Sequence, residues 1–316
     1  MTDSAAPLAA FKGERPPAPA WYEAARAMPV EHLSVEVEGA TIEVLAWGRR
    51  GRPGLLLVHG ARAHAHWWVG VAPLLARDYR VASVSLSGMG GSGWRDRYDT
   101  DLEIEELFAA ARVAGLFDAP VPPVFVAHSF GAKAASLAAE ARGGEIAGAI
   151  LIDTSVAPTE LRFPTINPPR LWPDLPTILG RFRLAPPEPS DHPYILDDVA
   201  RAGVTTTEDG RWRWRFDPDF WEKVRYDSSW RAIGAPLCPI AFVYGEASQI
   251  VTPDRLAQQI RQAPAGTPFI GVPEAGHHIM LEQPIALVAA IRAIVAGWHG
   301  PAVTPMGMTI SEGEMA

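Results

Sequence analysis

The sequence predicts an α/β fold, a mostly parallel, twisted β-sheet with helices on both faces and an inserted helical lid. Short apolar runs such as Leu55–Val58 are bounded by turn residues and alternate with segments of helical periodicity, which is typical of strands buried on both faces. The alternation stops over residues 154–235, where prolines and tryptophans are dense, and it resumes at Ile240. The chain therefore predicts one layered core into which a lid is inserted.

Composition excludes several classes of protein and site. The 316 residues carry 36 acidic and 28 basic side chains, a net charge of −8, without a dense lysine or arginine block, so nucleic acid and anionic membrane surfaces are poor partners. The one cysteine, Cys238, excludes an intramolecular disulfide and a cysteine-rich zinc site. We find no secretory signal pattern and no apolar run long enough to span a bilayer, and we expect a cytoplasmic protein. The oligomeric state stays open.

The first segments predict a surface arm followed by the edge of the sheet. Residues 1–30 are rich in proline, and we expect an irregular arm with one short helix near residues 21–27. Apolar and polar residues alternate over 33–37 and again over 41–47, which predicts a hairpin at a sheet edge. The core then continues with a strand over 55–58, a helix over 66–76, a strand over 81–86, and a helix over 100–117 that opens on a Thr100–Glu103 capping box.

The centre of the pattern is a strand, a serine and a helix of small residues. Residues 124–127 are apolar and predict a buried strand, while the alanines after Gly131 let a helix pack close to the sheet. The chain must reverse sharply between them, which places Ser129 in strained backbone geometry with its hydroxyl lifted clear of the sheet. A serine that merely caps the helix is the alternative that this stretch leaves open.

Later segments complete the sheet and close the chain. A strand over 146–152 ends at Asp153, and the lid follows. The sheet then resumes, with a strand over 240–244, a helix after Thr252–Pro253, a strand over 268–272, an amphipathic helix over 287–298 and a loose tail over 300–316.

The order of these parts resembles the α/β-hydrolase superfamily, in its lidded, esterase-like branch. Three motifs at strand ends carry the resemblance, namely His59-Gly60-Ala61, Ala127-His128-Ser129-Phe130-Gly131 and Pro273-Glu274-Ala275-Gly276-His277. The second is the nucleophile elbow, usually G-x-S-x-G, with Ala127 in place of the first glycine. The likeness runs from about residue 33 to 298 and implies a core over 31–153 and 236–299 with a lid over 154–235.

The resemblance implies a role for four of these residues. Ser129 would be the nucleophile, and His277 the base that takes its proton. His278 is adjacent to His277 and is the less favoured alternative. The backbone N–H groups of Ala61 and Phe130 would form the oxyanion hole.

The acid of the triad departs from the family pattern. Its usual place, after the strand over 240–244, holds Ser248 and Gln249, and neither side chain can carry the negative charge that stabilises an imidazolium. We favour Asp153 as the acid, with Glu246 as an alternative. A third alternative is that no carboxylate acts, because Asp153 can also cap a strand-end turn.

Tryptophans concentrate in the lid and near the oxyanion loop, where they could wall an apolar pocket or simply join the lid to the core. The predicted pocket residues are Gly60, His64, Trp67, His128, Trp172, Trp214 and Trp221. His64 and His66 lack a nearby carboxylate or cysteine cluster, so we expect no metal, and the chemistry needs no cofactor.

The resulting hypothesis is a serine hydrolase that cleaves an ester or lactone with an apolar or aromatic acyl part. Carbon–carbon bond hydrolysis or a lyase reaction on the same residues is one alternative, because fold does not determine function. A non-catalytic receptor or scaffold is the other, and the missing acid at Ser248 and Gln249 is its main support.

Overall fold

An eight-stranded sheet lies at the centre of the computed structural model, which describes residues 6–155, 170–225 and 235–299. Its strands are β1 (Glu31–Val37), β2 (Ala40–Trp47), β3 (Gly54–Val58), β4 (Arg80–Val84), β5 (Val124–His128), β6 (Gly148–Ile152), β9 (Ile240–Gly245) and β10 (Phe269–Val272). The remaining two strands, β7 (Val204–Thr206) and β8 (Trp212–Trp214), pair with each other in the insert. The strand order is β1-β2-β4-β3-β5-β6-β9-β10, antiparallel as far as β4 and parallel beyond it. The predicted edge hairpin and mostly parallel sheet are confirmed.

Helices cover both faces of this sheet. They are α1 (Ala20–Arg26), α2 (Ala72–Leu75), α3 (Thr100–Val113), α4 (Phe130–Arg142), α5 (Leu175–Leu179), α6 (Pro193–Ala202), α7 (Phe220–Lys223), α8 (Pro253–Gln262), α9 (Ile279–Glu282) and α10 (Pro284–His299). Leu55 and Leu57 of β3 lie in one apolar cluster with residues of α2 and α10. Leu56 and Val58 lie in the other with residues of α3 and α4. Because side chains alternate along a strand, a strand covered on both faces must be apolar throughout.

Two of the predicted local elements differ in the structure. The predicted helix over 66–76 is a 3-10 turn at Ala65–Trp68 followed by the single-turn α2, because Gly70 and Pro73 disfavour a continuous helix. The cap of α3 is Asp99 rather than Thr100, since a carboxylate oxygen of Asp99 accepts the N–H of Leu102 at 3.0 Å.

The described part of the insert reaches both apolar clusters: α6 packs in the cluster of α2 and α10, and Phe220 of α7 packs in the cluster of α3 and α4. Ile195, Leu196 and Val199 of α6 are fully buried in the same apolar cluster as Trp68. The insert rejoins the core at the glycine-rich loop 87–93, where Gly90 donates its N–H to the carbonyl of Arg215 at 2.8 Å. Residues 156–169 and 226–234 of the predicted lid and the predicted tail over 300–316 lie outside the described residues. No helix among the described residues is long and apolar enough to cross a bilayer.

Candidate active site

Ser129 occupies a strained turn between β5 and α4. Its φ of 51° and ψ of −114° lie in a region that L-residues rarely adopt. Its N–H donates to the carbonyl of Ile152 in β6 at 2.9 Å, which ties the turn to the neighbouring strand. Within the described chain, the hydroxyl makes no capping hydrogen bond to α4, which speaks against the cap alternative. A Cβ at Gly131 would collide with the carbonyl oxygen of His59, so this position requires glycine.

His277 and Asp153 form a buried pair beside this turn. Nδ1 of His277 lies 2.7 Å from Oδ2 of Asp153, and the two residues are 5% and 1% exposed. Asp153 directly follows β6, the strand whose last carbonyl receives the Ser129 N–H. Because the Nδ1–H of His277 donates to Asp153, its Nε2 is left as the basic nitrogen.

Ser248 lies after β9, where relatives of this fold carry the acid, and here it hydrogen-bonds to Asp153. The hydroxyl of Ser248 donates to Oδ2 of Asp153 at 2.7 Å, and its oxygen accepts the N–H groups of Ile250 and Val251 at 3.0 Å each. The N–H of Gly245 donates to the other carboxylate oxygen at 3.0 Å. Both oxygens of the Asp153 carboxylate thus accept hydrogen bonds, Oδ2 from Ser248 and Oδ1 from Gly245.

Glu246, the alternative acid, lies elsewhere. Its side chain is exposed, and its carboxylate extends over β10, where a Cβ at Gly271 would lie 2.9 Å from its Oε1. The structure thus brings Asp153 and not Glu246 to His277. The catalytic roles of these residues stay predictions.

The predicted oxyanion hole lies where two segments meet. A Cβ at Gly60 would lie 3.2 Å from the Cβ of Ser129, so glycine lets the turn that carries Ala61 approach the serine. Phe130 is the first residue of α4, and its amide lies at the positive end of the helix dipole. Both residues thus lie next to Ser129 along the chain or in space, and the oxyanion hole itself stays a prediction.

Two further histidines hold backbone around the site. Nε2 of His128 lies 2.9 Å from the carbonyl oxygen of His277 and donates to it. Burial lowers the pKa of His128 well below its ordinary value, so the ring is neutral. His59 accepts the N–H of Leu86 at Nε2 (3.0 Å), and burial lowers its pKa to about 4. We infer positioning rather than proton transfer for both rings.

A second histidine–carboxylate pair lies next to the first. Nδ1 of His278 is 2.8 Å from Oε2 of Glu188, a residue of the insert, and Glu282 of α9 joins them. Among the described residues, these three form the one cluster whose donor atoms, all within 4.8 Å, could hold a metal ion. The carboxylate oxygens already accept backbone N–H groups of the loop, which leaves them poorly placed to bind an ion.

Sequence reasoning missed Glu188, Glu282 and Ser248. Glu282 lies five residues beyond His277, in no recognised motif. Ser248 enters the sequence analysis only as a residue that cannot replace the acid, and its role as a hydrogen-bond donor to Asp153 is not predicted. Glu188 lies between two prolines in the insert, and no local pattern distinguishes it from a solvent-exposed carboxylate.

The predicted pocket residues divide into two groups. Trp67 and Trp221 lie beside the site, with ring centroids 5.5 Å from His278 and 5.8 Å from Phe130. Trp172 and Trp214 pack against each other in the insert, 6.4 Å apart. His64 is buried against Gly203 of the insert. The structure therefore brings Gly60, Trp67, His128 and Trp221 to the site. It places Trp172 and Trp214 in contacts within the insert and His64 in a contact between the core and the insert.

Comparisons with known proteins show the family and the fold of the chain. A family model described as "Alpha/beta hydrolase family" matches residues 55–291. The chain is 26% identical over 284 residues to esterase Rv0045c of Mycobacterium tuberculosis, covering 82% of this chain and 88% of that protein. It is 26% identical over 260 residues to lipase LipV of the same organism, covering 80% and 97%. A crystal structure of esterase Rv0045c superposes with a TM-score of 0.69 at 24% identity, covering 93% of this chain and 98% of that one, which shows a common fold.

Proposed function

The chain belongs to the alpha/beta hydrolase family, and on that premise we propose that it is a carboxylic ester hydrolase whose nucleophile is Ser129. The observation that carries the proposal is the 2.7 Å contact of His277 with Asp153 beside the strained Ser129 turn. The two relatives named as an esterase and a lipase support the same reaction class.

The proposed reaction begins with attack of Ser129 Oγ on the ester carbonyl carbon while Nε2 of His277 takes the hydroxyl proton. The carbonyl electron pair moves to oxygen, where the N–H groups of Ala61 and Phe130 stabilise it. Asp153 remains ionised and stabilises the imidazolium.

The tetrahedral species then collapses. The bond to the alcohol oxygen breaks, and the leaving alkoxide takes the proton from His277. Water then attacks the acyl-enzyme with His277 as base, which releases the acid and restores the Ser129 hydroxyl.

For the substrate we propose an ester or lactone with an apolar or aromatic acyl part. Trp67 and Trp221 support this because each ring lies beside a residue of the site, His278 or Phe130. The presence of a carboxylate at His277 also removes the main sequence argument for a non-catalytic receptor.

The test combines labelling with a substrate screen. A fluorophosphonate should label the wild type and the Ser34→Ala control, whose serine is exposed on β1, but not Ser129→Ala. Short-chain aryl esters, long-chain esters, lactones and a β-diketone should then be compared, and we expect turnover of an ester or lactone. Cleavage of the β-diketone alone would favour the carbon–carbon hydrolase, and a folded, unlabelled wild type would favour the receptor.

A further inference from the structure

Two carboxylates hold the main chain of the loop that carries His277. Glu188, between α5 and α6, accepts the N–H of His277 at 2.6 Å through Oε1 and that of His278 at 3.2 Å through Oε2. Glu282 of α9 accepts the N–H of Gly276 at 2.7 Å through Oε2 and that of His278 at 2.9 Å through Oε1. Three successive amides thus donate to these two side chains, which are 4% and 9% exposed.

The loop is built to let Glu188 approach this closely. A Cβ at Gly276 would collide with the Glu188 carboxylate, so glycine is required there for steric reasons. The imidazole of His278 adds a third donor to Glu188, with Nδ1 at 2.8 Å from Oε2. Burial lowers the pKa of His278, so its ring is neutral and donates from Nδ1.

The two carboxylates also lie close to each other. One oxygen of Glu188 and one of Glu282 are within 4.8 Å, and both side chains are buried. Two ionised carboxylates at this separation repel each other, so the pair favours holding one proton between them. Burial and the neighbouring Glu188 raise the pKa of Glu282 to about 8. Burial alone would raise the pKa of Glu188 too, but its bonds with His278 and the His277 amide hold it below the ordinary value. The pair therefore carries one negative charge at neutral pH.

We propose that Glu188 and Glu282 are positioning residues that hold the loop so that His277 meets Asp153 and Ser129, and that they couple the insert to the catalytic loop. The inference rests on the proposed function. His277 is then held at three points, its N–H by Glu188, its carbonyl by His128 at 2.9 Å and its Nδ1 by Asp153 at 2.7 Å. An imidazole fixed in this way is pre-organised for proton transfer.

Loss of the shared proton should loosen the loop. Among the described residues, the titratable group in contact with the pair is His278, and His277, Asp153 and His128 lie behind it. As pH rises through about 8, Glu282 loses its proton and two buried carboxylates repel each other. We expect kcat to fall there while KM changes little, because the loop positions the base rather than the substrate.

The two glutamines differ in the contacts that they can keep. In Glu282→Gln the amide oxygen can accept the Gly276 N–H and the amide nitrogen can donate to Glu188, while Glu188 still accepts the His278 N–H. In Glu188→Gln a single acceptor oxygen replaces two, so either the His277 amide or the Nδ1–H of His278 loses its acceptor, whereas the His278 amide keeps Glu282.

The experiment measures kcat, KM and the fluorophosphonate labelling rate of both variants from pH 6 to 9.5. Glu188→Gln should lose at least about tenfold in kcat and in labelling rate with KM within about twofold, the pattern of lost transition-state positioning. Glu282→Gln should lose less at pH 7 and should no longer show the wild-type fall near pH 8. Glu208→Gln, an exposed carboxylate of the insert, is the matched control and should behave as wild type.

Three results would overturn the inference. They are a Glu188→Gln enzyme whose kcat lies within twofold of wild type, a wild-type profile that is flat through pH 9, and a Glu282→Gln profile that falls as the wild type does. If circular dichroism shows that Glu188→Gln does not fold, the pH dependence of kcat in Glu282→Gln decides whether the inference stands. A wild type that a fluorophosphonate does not label would overturn the proposed function itself, whereas a labelled wild type with unaffected variants would overturn only the positioning role.

Discussion

Oδ2 of Asp153 lies 2.7 Å from Nδ1 of His277, and the hydroxyl of Ser248 lies at the same distance from that oxygen. Asp153 follows β6 and Ser248 follows β9, two neighbouring parallel strands. Because parallel strands end at the same edge of the sheet, a carboxylate after either strand can reach the histidine. Asp153 occupies one of these two positions, and Ser248, which donates a hydrogen bond to it, occupies the other.

Replacing the acid tests its role directly. Asp153→Asn should reduce kcat by about 10⁴, the loss known for the triad aspartate of a serine protease, because asparagine cannot stabilise the imidazolium or select the Nδ1–H tautomer. Ester hydrolysis by the purified variant is the measurement. Glu246→Gln is the control and should change little, and the opposite ranking of the two variants would move the acid to Glu246.

Removing the donor from Ser248 should weaken the acid without abolishing it. Ser248→Ala loses one hydrogen bond to Asp153 and leaves the amides of Ile250 and Val251 without their acceptor. We expect kcat to fall about tenfold and the free energy of unfolding to drop by about 1–2 kcal/mol. Kinetics and urea unfolding check this against Gln249→Ala, whose side chain is exposed. Equal values for both alanine variants would contradict the role given to Ser248.

A methyl group at Gly131 should damage the elbow. Gly131→Ala places a Cβ against the carbonyl of His59, so α4 or the β3 loop must shift, at a cost of about 1–3 kcal/mol in the free energy of unfolding. Labelling of Ser129 should slow as the turn moves. Gly144→Ala, whose Cβ would have no heavy atom within 4 Å, is the matched control for thermal unfolding. Indistinguishable melting temperatures would refute the tight elbow contact.

The pH dependence of stability should report the shared proton. Burial raises the pKa of Glu282 from 4.5 to about 8, so between these values the folded chain holds a proton that the unfolded chain has lost. Stability therefore falls as pH rises through this window, by up to about 1.4 kcal/mol per unit from this group. The pKa of Glu188 is lowered, so its contribution disappears only in acid.

Urea unfolding at pH 5, 6, 7 and 8 measures this dependence. The wild type should lose more stability across the series than Glu282→Gln, which has no proton to release. Parallel curves for the two proteins would contradict the raised pKa of Glu282.

Most strands and the site motifs were predictable because their signals are local. A strand buried on both faces must be apolar throughout, as Leu55–Val58 is, and a sharp turn before a close-packed helix needs a small residue such as Gly131. The prediction of a helix over 66–76 is wrong. The apolar residues there have helical spacing, but Gly70 and Pro73 disfavour a continuous helix.

The sequence by itself determined the order of strands along the chain, the serine turn and the candidate histidine, because each of these signals lies within a few adjacent residues. Only the tertiary structure decided that Asp153, 124 residues from His277, meets its ring, and that Glu188, 89 residues away, holds its backbone. Local periodicity reflects the burial of one segment, whereas these contacts depend on which strand ends and which part of the insert come together in space.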